Sequence, residues 1–91
     1  MNKRSIFALI SSALISSFAV AGPQCTDEPK EKWQDQSAFE ADLVEQGYTI
    51  KKFKVTSGNC YEIYAYNDKG QKVEIYFNPI SGEKVKEEID D

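Results

Sequence analysis

Apolar and polar residues alternate most regularly between Cys60 and Glu83, in the stretch CYEIYAYNDKGQKVEIYFNPISGE. A period of two marks strands with one apolar face and one polar face. Two loops of like construction interrupt the alternation. Asn67-Asp68-Lys69-Gly70-Gln71 and Pro79-Ile80-Ser81-Gly82-Glu83 each put Gly third in a three-residue loop. A type I turn followed by a G1 bulge needs positive φ at that position. With Asn67 facing Gln71, the expected pairs are Tyr61–Phe77, Ile63–Ile75 and Ala65–Val73 on one face. On the other they are Glu62–Tyr76, Tyr64–Glu74 and Tyr66–Lys72. A four-residue loop would set the apolar residues of one strand against the polar residues of the next, so side-chain parity favours three.

The flanking segments extend this pattern. Tyr48 and Ile50 share one parity, Phe53 and Val55 the other. A bulge near Lys51-Lys52 would bring all four to the core. Ser57-Gly58-Asn59 then turns the chain, with Val55 opposite Tyr61 and Phe53 opposite Ile63. After the second loop, a last strand from about Glu83 to Glu88 sets Val85 opposite Phe77 and Lys86 opposite Tyr76, with Ile89 extending the core face. Before the strands, Phe39 and Leu43 lie four apart with Ala38, Ala41 and Val44 around them, the spacing of a helix over 35–46. Ser37 with Glu40 fits a capping box, Asp35 is a competing N-cap, and Gly47 suits the C′ position. Trp33, the only Trp, either packs on the sheet and the helix start or serves as an exposed anchor for a partner. The fold class is α+β: one N-terminal helix on a four-stranded antiparallel meander.

The N-terminus reads differently. A basic Met1-Asn2-Lys3-Arg4, an apolar run over 6–20 and the small-x-small Ala19-Val20-Ala21 make up a secretory signal peptide, with cleavage expected after Ala21. The domain plan is then 1–21 signal, 22–34 irregular arm and 35–89 folded domain. The chain is expected in the periplasm or outside the cell, with no membrane insertion after cleavage. Residues 22–91 hold nine Lys and no Arg against fifteen Asp and Glu, a net charge of −6. So acidic a domain is repelled by phosphate backbones, which argues against nucleic acid as a partner. A chain this small buries little apolar surface and benefits from a staple. Cys25 and Cys60, exported together and lacking C-x-x-C spacing, are expected to form a structural disulfide closing a loop of about 36 residues, worth on the order of 4 kcal/mol.

Candidate chemistry is sparse. The sequence has no His, and residues 22–91 have no Arg, which removes the commonest general base, metal ligand and oxyanion clamp. Asn67-Asp68-Lys69-Gly70 resembles a calcium loop only weakly, since the alternating acidic ligands and the distal Glu are missing. No catalytic residue, metal site or cofactor is expected. What remains is the polar sheet face: Glu62, Tyr64, Tyr66, Lys72, Glu74 and Tyr76 are the candidate partner-binding residues. Tyrosine supplies contact area at little rotamer cost, although cross-strand Tyr–Lys and Tyr–Glu pairs also stabilise an exposed sheet by themselves. The open edges of a meander offer a second route to a partner.

Gly47-Tyr48 after a short helix, Cys60-Tyr61-Glu62 and Glu74-Ile75-Tyr76-Phe77-Asn78-Pro79-Ile80-Ser81-Gly82-Glu83 together resemble the PepSY family of small exported bacterial domains. The likeness runs from about Trp33 to Val85. Its sharpest piece is the Asn78-Pro79-x-Ser81-Gly82-Glu83 turn, where the family often has Asp first and Thr fourth. The resemblance implies a helix on an antiparallel sheet and an exported, non-catalytic protein-binding module that restrains peptidases. It carries over no catalytic residues. With a single domain, the expectation is action in trans on a peptidase or membrane protein. The alternative is a periplasmic small-ligand or metal-handling accessory factor of a membrane redox or uptake system.

Overall fold

The computed structural model describes residues 22–90. The segment read as a signal peptide lies outside them. A 3-10 turn at Lys30–Lys32 leads into helix α1 (Gln36–Glu45), followed by β1 (Thr49–Val55), β2 (Tyr61–Tyr66), β3 (Lys72–Phe77) and β4 (Lys84–Asp90). The strands form one antiparallel sheet in the order β1-β2-β3-β4. All six expected β2–β3 pairs are present. The loop between them closes as its residues require. The Asn67 amide donates to the Gln71 carbonyl at 2.9 Å, the Asn67 Oδ1 accepts from the Lys69 and Gln71 amides, and Gly70 sits at φ 80°.

β1 carries the expected bulge, since its register with β2 shifts between Ile50 and Lys52. The bulge turns both Ile50 and Phe53 onto the apolar face, where they pack with Tyr48 and Trp33 against the buried cluster. That cluster is Phe39, Leu43, Tyr61, Ile63, Ala65, Val73, Ile75 and Phe77. Phe39 anchors it, meeting the Phe77 ring edge-on at 5.3 Å and the Tyr61 ring at 5.1 Å. Trp33 packs edge-on against Tyr61 at 5.6 Å, the first of its two expected roles. The Tyr61 hydroxyl donates to the Gln34 carbonyl at 2.7 Å, and burial, aided by the nearby Asp35 charge, pushes its pKa up.

Several expectations are corrected. The N-cap is Asp35, whose Oδ2 accepts from the Ala38 amide at 3.0 Å; Gln36 and Ser37 are already helical, so no Ser37 box forms. The entry is fixed from outside, because the Gln34 amide is bonded to the Pro79 carbonyl and the Gln34 side chain to the Ile80 carbonyl. The second loop closes on Asn78 and Glu83, not on Pro79 and Glu83. Proline has no N–H to give a ladder pair, and the Asn78 carbonyl and side chain instead collect the Gly82, Ile80 and Ser81 amides. The register is therefore one residue off until a bulge restores it, so that Lys84 faces Phe77 while Lys86 faces Tyr76. Val85, expected opposite Phe77, is 43 % exposed. Ile89 does pair with Val73 but stays 51 % exposed, and Val55 and Val44 are exposed too. The helix leans over β1 and buries only Phe39 and Leu43, leaving the β4 side of the apolar face uncovered.

Candidate functional site

Helix α1 covers the β1 side of the apolar face; the arm before it crosses the polar face. Cys60 shares strand parity with Glu62, so a disulfide to Cys60 draws the arm to that side. The Cys25–Cys60 disulfide forms with the Cα atoms 5.1 Å apart. The Cys25 amide donates to the Gly58 carbonyl at 2.8 Å, and Asn59 and Asn78 donate side-chain N–H groups to the Thr26 and Cys25 carbonyls. At Gly58 the arm passes so close that a Cβ would collide with the Pro23 carbonyl oxygen. At its start, Gly22 lies on the hydroxyl side of the Tyr76 ring.

Beneath and beside the arm, the registers align two rows of side chains across the sheet. One is Lys54, Glu62, Tyr76 and Lys86; the other is Lys52, Tyr64, Glu74 and Glu88. The lysines stack on aromatic faces: Lys52 and Lys54 over Tyr64 at 5.8 and 6.0 Å, and Lys86 over Tyr76 at 5.9 Å. Such contacts stabilise the face modestly while leaving each ammonium wet at its tip.

The centre of this face is two carboxyl groups. Glu62 is only 3 % exposed, and its Oε2 has no hydrogen-bond partner. Glu74 accepts a hydrogen bond from the Tyr76 hydroxyl at 3.0 Å. Burial, followed by the neighbouring Glu74, raises the Glu62 pKa. The Glu62 carboxyl lowers that of Glu74 in turn, helped by the Tyr76 and Tyr64 hydroxyls and by Lys86. The two carboxyls are thus pushed in opposite directions, because two adjacent negative charges in a dry place repel. The phenols respond to the same charge. Tyr64 is pushed up to about 12, chiefly by the Glu62 carboxyl its hydroxyl faces, and Tyr76 higher still, chiefly by burial.

The six expected residues therefore divide. Glu62, Tyr64, Glu74 and Tyr76 form one cluster. Tyr66 and Lys72 lie toward the hairpin end, where they share with Tyr64, Glu74, Lys51 and Ile89 an open groove of roughly 930 Å³. Sequence reasoning missed Lys52, Lys54 and the Gly22 end of the arm; it allowed for the arm covering part of this face but not for the burial of Glu62. The parity shared by Cys60 and Glu62 was the signal that could have found the covering arm. Among the described residues, no group of three or more His, Cys, Asp or Glu side chains gathers to hold a metal ion, and no helix is long and apolar enough to cross a membrane.

Fold and face define a small disulfide-stapled α+β module whose chemistry lies in one aromatic, charged sheet surface. The chain belongs to the PepSY family: the family model of the peptidase propeptide and YPEB domain matches residues 5–88. No curated protein and no solved structure matches it.

Proposed function

We propose that this is an exported, non-catalytic protein-binding module that restrains a peptidase through its polar sheet face. The observation that carries the reading is the lysine-on-tyrosine surface of β1–β4, with Lys52 and Lys54 over Tyr64 and Lys86 over Tyr76. Stacking holds these rings in place before a partner arrives, so little side-chain entropy is lost on contact. Membership in a family described by peptidase propeptides supplies the class of partner. The basic-apolar-small pattern of residues 1–21 and a disulfide suited to an oxidising compartment support export.

The test is titration of the purified exported chain against exported peptidases, reading both binding and inhibition. Exchanging Tyr64 and Tyr66 for alanine together is expected to weaken inhibition at least ~10-fold while the fold survives, the size typical of losing aromatic anchors. If none of these peptidases is bound or slowed at micromolar concentration, the proposal fails.

A further inference from the structure

Glu62 poses an unanswered question. Its buried Oε2 has no hydrogen-bond partner, whereas buried carboxyl oxygens are ordinarily bonded, because an unpartnered one keeps its full desolvation cost. The described lysines do not answer it. The ion pairs are Lys32–Glu28, Lys84–Glu87 and Lys86–Glu88, none of them to Glu62 or Glu74. Lys54 faces Glu62 in register, yet its Nζ lies over the Tyr64 ring.

Gly22 is differently placed. A Cβ built on it would stand 3.0 Å from Tyr76 Cε2 and 3.3 Å from the Tyr76 hydroxyl, and its φ is +84°. Only glycine fits so close to the ring in that conformation. Its nitrogen is one bond, about 1.5 Å, from that Cα. The Tyr76 hydroxyl is itself bonded to Glu74, and Tyr76 is the direct cross-strand partner of Glu62. The disulfide at Cys25, three residues later, ties this end of the arm to Cys60 on the strand that carries Glu62.

We propose that the α-amino group of Gly22, set free by cleavage after Ala21, is the ligand of the Glu62–Glu74 carboxyl pair. This rests on the reading of residues 1–21 as a cleaved signal. Before cleavage the Gly22 nitrogen is a neutral amide with one N–H. After cleavage it is a compact ammonium with three donors, enough to serve Glu62 Oε2, Glu74 and a phenol together. The disulfide makes the contact intramolecular, so a weak pairwise attraction suffices to hold it. The cation also lets both carboxyls ionise, which changes the charge of the face that Lys54, Tyr64, Tyr76, Lys86 and Glu88 surround. Removal of the leader then completes the binding face as well as releasing the chain.

The experiment compares three forms of the exported protein: the native chain, a variant with one serine inserted after Ala21, and the native chain acetylated at its amino end. Intact mass first establishes the N-terminus, and a chain that does not begin at Gly22 overturns the proposal at its premise. Given Gly22, NMR titration is expected to put its amine at least ~1 unit above the ordinary ~7.7–8.0. Glu62 should titrate at lower pH in the native form than in the two blocked forms. A raised amine pKa means added stability that is complete below the ordinary amine value and is lost as pH rises through the raised one. The unfolding equilibrium at neutral pH should accordingly differ about tenfold between native and blocked chains. An amine titrating at its ordinary value, with Glu62 unchanged by serine or acetyl, leaves the carboxyls bound to each other alone and sinks the proposal.

Discussion

At the scale of single residues, Glu62 and Glu74 oppose one another. Glu62 is raised by burial, so its contribution to stability is complete below the ordinary 4.5 and is lost as pH rises through the higher folded value. Glu74 is lowered, so its contribution is present above 4.5 and is lost as pH falls. On the serine-extended chain, where no Gly22 ammonium takes part, Glu62→Gln should gain stability relative to the parent as pH climbs above 4.5. Glu74→Gln should instead lose relative stability as pH climbs from the acid side up to 4.5, and keep that deficit above it. Urea unfolding at a series of pH values reads both slopes, and slopes of the same sign would remove the opposed shifts from the account. Only half of this was legible beforehand. Alternation placed both carboxyls on one face, but burial of Glu62 depends on the arm, whose side is signalled only by the parity of Cys60 and whose path to Gly22 is not.

At the scale of elements, turn chemistry decided what could be read. The Asn67–Gln71 loop contains no proline, and its residues fixed the β2–β3 register correctly. The Asn78–Glu83 loop has the same spacing of glycine, but Pro79 cannot donate to a ladder, so the first pair after it, Phe77 with Lys84, is one residue off before a bulge restores the expected register at Lys86. The bulge in β1 was legible because the apolar residues themselves change parity there. How far the helix reaches was not legible, since Ala38, Ala41 and Val44 look apolar enough to be buried. These differences set the cost of substitutions. Ile75→Ala, at a fully buried central position, should cost about 2–5 kcal/mol. Val85→Thr and Ile89→Thr, on exposed β4, should each stay within about 0.5 kcal/mol. Chemical denaturation of the three variants checks the contrast; a large loss at Val85 would mean that β4 is covered in solution.

At the scale of the whole molecule, the sheet is held from both faces, by the helix on one and by the arm on the other. The arm depends on a single covalent link. Replacing Cys25 and Cys60 together by serine should lower stability by roughly 3–4 kcal/mol in so small a domain, read as a drop in Tm under otherwise equal conditions. The polar face should suffer first, because the Gly22 end loses its anchor three residues away. A loss below 1 kcal/mol would mean that the contacts at Gly58, Asn59 and Asn78 hold the arm unaided. The same link determines how the chain bears load. The helix and β1 lie within the 35-residue interval that the disulfide closes. A pull on the two chain ends therefore passes from Cys25 straight to Cys60 and on into the hairpin, bypassing both elements. Stretched until it yields, the oxidised protein would extend about 120 Å less than the reduced one, at about 3.5 Å per residue withheld. The helix and β1 carry no tension until the sulfur bridge is cut, so a thiol reagent acts as the release for that hidden length.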